Sequence, residues 1–369
     1  MTLLEGGISA SLPQFPWDRL SPYKSIAMRH PGGIIDLSVG APADPVPETV
    51  RQALVQAAGQ SSLDGVERAF GEAAAGWLLR RHEVRVDPDL VVPTLGSKEL
   101  LAWLPRLLGA RPGDRVVHPE LAYPTYAVGA LLAGAEPVAD DWPDRSDDEC
   151  VTLAWINSPS NPTGGVLPPE RIAEIVCWAR GRSVVLASDE CYIDLGSGDG
   201  PYSVLHPEIC GGDHRGLLAV HSLSKRSNMA GYRAGFVTGD GEILSELRDF
   251  RRHLGLLPPR PVLAAMAAAL LDDEHVDVQR QRYLRRRSIL SSALARAGWR
   301  IAPAQGGLYL WAAQPSRDGW ESVEALAGIG ILVAPGEFYG ASGKRHVRIA
   351  LTAADERIAE AADRLAGGR

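Results

Sequence analysis

The chain writes 34 of its 38 basic residues as arginine and only four as lysine, and one of those four, Lys225, stands in Ser222-Leu223-Ser224-Lys225. Arg233 follows in Gly231-Tyr232-Arg233-Ala234-Gly235-Phe236. A guanidinium stays protonated and does not bond covalently to a carbonyl carbon, whereas an amine does once its pKa is lowered. A lysine kept in this setting points to amine chemistry on a carbonyl. The two serines and the arginine beside it suit an anion. An isolated lysine reads as a surface cation; these neighbours argue for the chemical role.

Other stretches carry groups of complementary chemistry. Thr94-Leu95-Gly96-Ser97-Lys98-Glu99 opens a helix, and glycine, serine and free backbone N–H groups there make an anion cradle. Taken alone it reads as a helix capped by Ser97. Asn157-Ser158-Pro159-Ser160-Asn161-Pro162-Thr163-Gly164 is turn chemistry, with asparagine amides held rigid enough to aim at a ligand oxygen. Asp189-Glu190-Cys191-Tyr192 places an acid and a phenol at a strand end, where a buried aspartate would keep a ring nitrogen protonated. In isolation Asp189 is equally a capping carboxylate. Taken together, a phosphate cradle, an amide, an acid with a phenol and a lysine with serines and arginine share one target: pyridoxal 5′-phosphate (PLP), with its phosphate, phenolic oxygen, pyridine nitrogen and aldehyde.

Each of these stretches follows a predicted strand, and ligands of open α/β sheets bind beyond the carboxyl ends of strands. Strands are predicted over Leu90–Pro93, Arg115–His118, Val151–Ile156, Ser183–Ser188, Leu217–Ser222 and Ala234–Thr238. Helices are predicted over Lys98–Leu108, which Pro105 should kink or shorten, Pro169–Ala179 and Gly241–His253. The alternation implies an α/β fold with a mainly parallel sheet covered on both faces. Three units are expected: a proline-rich, irregular arm over residues 1–35, anchored by Phe15 and Trp17; a large cofactor-binding domain over 36–255; and a smaller α+β domain over 256–369. The last combines helices Pro261–Leu271, Val276–Ala297 and Ala353–Leu365 with strands Trp299–Ile301, Gly307–Trp311, Ile331–Val333 and His346–Leu351.

Bulk properties narrow the class. A net charge of −7, 45% hydrophobic and 22% charged residues fit a globular enzyme and argue against nucleic acid or an acidic membrane as partner. Cys150, Cys177, Cys191 and Cys210 show no metal-ligand spacing and no disulfide framework, so no metal is expected and a reducing cytoplasm fits. No signal peptide is read at the N-terminus.

Ser158-Pro159-Ser160-Asn161-Pro162-Thr163-Gly164, Asp189-Glu190-Cys191-Tyr192 and the run from Ser222 to Phe236 together resemble the class I/II aminotransferases of the fold-type I PLP enzymes. The resemblance extends from about Asp36 to the end. It implies a large domain built on a mainly parallel seven-stranded sheet between helices, and a smaller α+β C-terminal domain. The segment from Ser9 to Trp17, together with residues 36–42, 118–126 and 331–340, is similar to N-succinyldiaminopimelate aminotransferases of high-GC bacteria.

The resemblance also implies roles. Lys225 would carry the cofactor covalently and move the substrate's Cα proton. Asp189 would pair with the ring nitrogen, and Asn161 and Tyr192 would bond the ring oxygen. Tyr123 would stack on the ring. Gly96, Ser97 and Lys98 (the latter two through backbone amides), Ser222, Ser224 and Arg233 would hold the phosphate. Arg348 would clamp the substrate α-carboxylate, with Gly40 and Asn161 also facing the substrate. The expected reaction passes an amino group from an amino acid, commonly glutamate, to a keto acid. N-succinyl-LL-2,6-diaminopimelate and 2-oxoglutarate are the expected pair, in a homodimer with shared active sites.

Two stretches depart from the pattern. Gln60-Ser61-Ser62-Leu63-Asp64-Gly65 lacks the tyrosine that relatives donate across the dimer, and Leu257-Pro258-Pro259-Arg260-Pro261-Val262-Leu263 brings an unusual cation, Arg260, to a cross-dimer loop. These motivate an alternative: a PLP enzyme of the same fold performing β/γ-elimination, replacement or carbon–carbon bond formation. A non-catalytic binding module is a third possibility, disfavoured by the retention of Lys225, Asp189 and Arg348.

Overall fold

The structure, a computed structural model, describes residues 12–62, 65–145, 149–196 and 200–367. Its thirteen strands are β1 (Ile35–Asp36), β2 (Val92–Leu95), β3 (Arg115–His118), β4 (Glu136–Ala139), β5 (Val151–Asn157), β6 (Val185–Asp189), β7 (Leu217–Ser222), β8 (Ala234–Gly239), β9 (Arg300–Ile301), β10 (Tyr309–Ala313), β11 (Ile331–Leu332), β12 (Ala334–Pro335) and β13 (Val347–Ala350). Seven form one sheet in the order β2-β8-β7-β6-β5-β3-β4. Only β8 runs against the others, pairing antiparallel with both β2 and β7. The remaining pairs are parallel.

Near-continuous apolar strands make this sheet a central layer. Leu153 and Trp155 of β5, with Leu218 and Val220 of β7, pack on the helices Ser97–Leu107 and Thr125–Ala133. The alternate residues Ala154, Ile156, Leu217 and Ala219 pack with Phe70 and Trp77 of the helix Val66–His82 and with Met266 of the helix Arg260–Leu271. A second core gathers Leu290, Leu294, Leu310, Trp311, Val347 and Ile358 around the sheet β12-β13-β10-β9. There β1 pairs in parallel with β11.

Several expectations are corrected. The arm is not irregular throughout, because Pro16–Leu20 forms a 3-10 helix and Ser21–Ala27 an α-helix, each with proline in its first turn, where a missing N–H costs nothing. Trp17 anchors it against Phe338, with ring centroids 5.4 Å apart, while Phe15 stays half exposed. Ser9, Ala10 and Ser11 lie outside the described residues, as do Leu63 and Asp64. The first site helix begins at Ser97, and its N-cap is Gly96 at φ 75°, not Ser97. It runs through Pro105 and closes at Leu107. Pro105 has no N–H to offer the Leu101 carbonyl. The neighbouring helix comes close at that carbonyl, where a Cβ on Gly129 would lie 2.5 Å away. Strand β4, with Pro137 at its centre, is absent from the sequence expectations; it is an edge strand, where proline is tolerated. Arg260 opens a helix and donates to the Gln60 side chain, 2.8 Å from Nε to Oε1, and to the Ser62 carbonyl.

Candidate active site

Strands β2, β3, β5, β6 and β7 present their carboxyl ends to one edge, and the predicted residues follow those ends. Gly96, Ser97 and Lys98 follow β2, Tyr123 follows β3, and Asn161 follows β5. Asp189 closes β6 with Tyr192 just after it, and Ser222 closes β7 with Ser224 and Lys225 next. A cavity of about 420 Å³ is lined by Gly40, Ser97, Lys98, Tyr123, Asn161, Asp189, Tyr192, Ser222, Ser224, Lys225, Arg233 and Arg348, which are all of the predicted residues except Gly96. Gly96 stands directly behind Arg233. A Cβ there would lie 2.9 Å from the guanidinium carbon, so only glycine leaves the arginine its place.

Lys225 sits in the short helix Leu223–Arg226, which Ser222 caps by accepting from the Ser224 N–H at 3.2 Å. Its ammonium donates to the Gly40 carbonyl. Burial pulls the Lys225 pKa down, reinforced by Arg348 and Arg233 and opposed by Tyr309 and Cys191. That is the direction a nucleophilic amine needs. Asp189, 5% exposed, accepts from the Tyr126 hydroxyl at 2.7 Å and from the Cys191 N–H at 3.1 Å. Burial pushes its pKa up while these two donors pull it down. A cationic ring nitrogen against the carboxylate would supply the missing counter-charge.

Arg348, on β13, is 2% exposed. It donates through Nη1 to Asn161 Oδ1 at 2.9 Å and through Nη2 to the Ser38 carbonyl at 2.7 Å. Its guanidinium carbon lies 4.0 Å over the Tyr309 ring. Its Nε is buried with no hydrogen-bond partner among the described residues, and no carboxylate there neutralises it. A ligand carboxylate would provide both.

Two contributors, Tyr126 and Tyr309, lie outside the sequence expectations, and Asn157, expected to aim its amide at a ligand, instead braces the site. Tyr126 fixes Asp189 and stacks on Trp155 at 5.1 Å between ring centroids. Asn157 ties two predicted residues together, donating to the Asp189 carbonyl at 2.8 Å and accepting from the Asn161 N–H at 2.7 Å. Tyr309, on β10, meets the Tyr192 hydroxyl at 3.3 Å and closes over Gly40, where a Cβ would lie 2.9 Å from its ring carbons. The signal for Asn157 is its register opposite Asp189. Tyr126 lies one helical turn beyond Tyr123, and nothing local marks Tyr309. Among the described residues no group of His, Cys, Asp or Glu is placed to hold a metal ion.

The donor set fits PLP. Hydroxyls and a guanidinium suit a phosphate, a buried carboxylate suits a ring nitrogen, a phenol and an amide suit a ring oxygen, and an amine of lowered pKa suits an aldehyde. The comparisons with known proteins agree. The profile described as Aminotransferase class I and II matches residues 32–365. The chain is 52% identical over 357 residues to 4-dedimethylamino-4-oxo-anhydrotetracycline transaminase OxyQ of Streptomyces rimosus, covering 96% of this chain and 99% of that one. It is likewise 52% identical over 366 residues to a probable aminotransferase of Mycobacterium tuberculosis, covering 98% and 87%. The structure of a probable N-succinyldiaminopimelate aminotransferase from Thermus thermophilus superposes with a TM-score of 0.87 at 29% identity, covering 96% of this chain and 100% of that one. This chain belongs to the class I and II aminotransferases and is a PLP-dependent enzyme of fold type I.

Proposed function

We propose that the enzyme moves an amino group reversibly between N-succinyl-LL-2,6-diaminopimelate and 2-oxoglutarate, glutamate being the amino acid formed from, or giving back, 2-oxoglutarate. The observation that carries an α-amino acid substrate is Arg348, a buried guanidinium that lines the cavity holding Lys225 and has no carboxylate partner among the described residues. The diaminopimelate assignment draws support from the resemblance in residues 36–42, 118–126 and 331–340, and from the Thermus relative's name. Bound PLP supplies an aldehyde to take the amino group and a protonated ring to accept the electron pair left when Cα loses its proton.

Arg348 holds the substrate carboxylate, with Asn161 fixing one edge of the guanidinium and Gly40 leaving room beside it. Lys225 would hold the cofactor covalently, and its amine would move the proton to and from the substrate Cα, general acid–base work of about 10²–10⁴-fold. Asp189 keeps the ring nitrogen protonated, and Tyr126 and the Cys191 N–H keep Asp189 ionised. Asn161 and Tyr192 would bond the ring oxygen, and Tyr123 would lie against the ring. Ser97 and Lys98 through their amides, with Ser222, Ser224 and Arg233, hold the phosphate, and Gly96 leaves Arg233 its place. The chain acts in the cytoplasm as a homodimer of two domains, 36–255 and 256–369, preceded by the arm.

A second substrate reading has its own support. The Streptomyces relative's name specifies a ketone on a fused-ring skeleton, and Phe15, Trp17 and Tyr123 give this cavity aromatic walls. Steady-state kinetics with N-succinyl-LL-2,6-diaminopimelate and with a fused-ring ketone decide between them. Under the first reading kcat/KM favours the succinylated amino acid, and Arg348→Lys raises KM in both half-reactions. Under the second, Arg348→Lys impairs only the glutamate half. Turnover of neither, with elimination of a γ-substituted amino acid instead, would sink both.

A further inference from the structure

A second cavity, of about 30 Å³, lies away from the cofactor site and is lined by Leu195, Arg280, Tyr283, Leu284, Arg287 and the loop Ala304–Gly307. Arg280 and Arg287 are seven residues apart on the helix Glu274–Arg296, two turns on one face, with Tyr283 and Leu284 between them. Both are only partly exposed. Among the described residues neither has a carboxylate partner, although the chain carries a net charge of −7. Their hydrogen bonds go to backbone carbonyls: Arg280 Nη1 to Gly196 at 3.3 Å, and Arg287 Nη2 to Gly306 and Gly307 at 3.0 Å each. The Arg280 Nε is buried with no partner among the described residues. Carbonyl oxygens satisfy N–H groups but do not offset charge, and among the described residues no carboxylate pairs with either guanidinium, whereas proteins usually neutralise partly buried charges by pairing. Burial alone pulls the Arg287 pKa down, with no compensating acid.

We propose that Arg280 and Arg287 form a binding site for a small inorganic monoanion of about the size of chloride. The volume holds one or two water-sized atoms. The position couples the site to the cofactor pocket. Tyr283 donates to the Lys225 carbonyl at 3.4 Å, Gln305 and Gly306 donate to the Gly164 carbonyl at 3.1 and 3.0 Å, and Gly307 leads into the strand of Tyr309. A bound anion would lock the helix, the Asn161 loop and the Tyr309 strand in one arrangement.

The test uses the PLP-loaded enzyme in gluconate buffer, so that the phosphate subsite is already filled. Crystals grown with bromide should show an anomalous peak between Arg280 and Arg287. Chloride should raise the melting temperature saturably, by about 2 °C at tenfold above half-saturation. Arg280→Gln, which removes the orphaned Nε and one long hydrogen bond, should raise the half-saturating chloride concentration at least tenfold. An empty cavity in the bromide crystals, a peak beside Arg348 only, or an unchanged half-saturation in Arg280→Gln would overturn the proposal.

Discussion

Replacing Tyr126 with phenylalanine tests how this scaffold keeps Asp189 ionised. The change removes one donor to a carboxylate that is 5% exposed and leaves it the Cys191 thiol and the Cys191 N–H at 3.1 Å. The lost bond is short, 2.7 Å, and buried. Hydrogen bonds to charged groups contribute about 1.5–3 kcal/mol, and each 1.4 kcal/mol is one pKa unit. Asp189, already pushed up by burial, would rise further and draw the proton away from the ring nitrogen. The rate of Cα proton removal should then fall by about tenfold to a hundredfold. Phenylalanine keeps the ring that stacks on Trp155, so the fold should hold and bound cofactor should stay near stoichiometric. Arg348 is untouched, so KM for glutamate should stay within about threefold. The assay is the single-turnover rate with glutamate and with Cα-deuterated glutamate. A rate within twofold of the parent would refute the assignment of Tyr126 as the residue that tunes Asp189.

Three further expectations follow from other parts of the site. Arg348→Lys should raise KM for glutamate by about a hundredfold or more, because a point charge does not reproduce the fork that meets a carboxylate; cofactor absorbance should be unchanged. Gly40→Ala should lower kcat/KM at least tenfold through collision with the Tyr309 ring, and adding Tyr309→Phe should restore part of the loss by removing the hydroxyl; no recovery would place the clash elsewhere. Behind the cofactor pocket, burial pushes Glu190 up to about 7 from an ordinary 4.5 and drops His221 to about 3 from 6.5. Glu190 binds its proton more tightly when folded, so its contribution to stability falls as pH rises from about 4.5 to 7. His221 binds its proton less tightly when folded, so its contribution rises with pH from about 3 to 6.5. The two oppose each other between about 4.5 and 6.5. Glu190→Gln should therefore steepen the rise of melting temperature with pH in that window and His221→Asn should reverse it; unchanged slopes in both variants would contradict the assignment.

The reactive half of this site is legible in the sequence because its chemistry is written in short contiguous motifs. Lys225 lies within a few residues of Ser222 and Ser224, and Asp189 and Tyr192 share one strand end, so local residue types suffice. Arg348 is legible only through resemblance, since nothing within β13 reveals a buried guanidinium. Tyr126 and Tyr309, and the bracing role of Asn157, escape for a common reason. Their roles exist only after distant segments pack: Tyr126 across to Asp189, Asn157 between neighbouring strands, and Tyr309 from the C-terminal sheet onto Gly40. At fold level, apolar runs reveal the central strands, while β4 is hidden by Pro137 and its half-exposed residues. Ser97 looks like the cap by residue type, but the N-cap is Gly96 at φ 75°, where the lack of a Cβ leaves room for Arg233.

Lys225, Asp189 and Arg348 are proposed to make the enzyme an aminotransferase toward α-amino acids. Mixing purified, PLP-loaded protein with glutamate alone, without any acceptor, tests it most directly. The expected result is release of one equivalent of 2-oxoglutarate per bound cofactor, abolished in Lys225→Ala. No 2-oxoglutarate from the parent enzyme, with the cofactor spectrum unchanged, would contradict it.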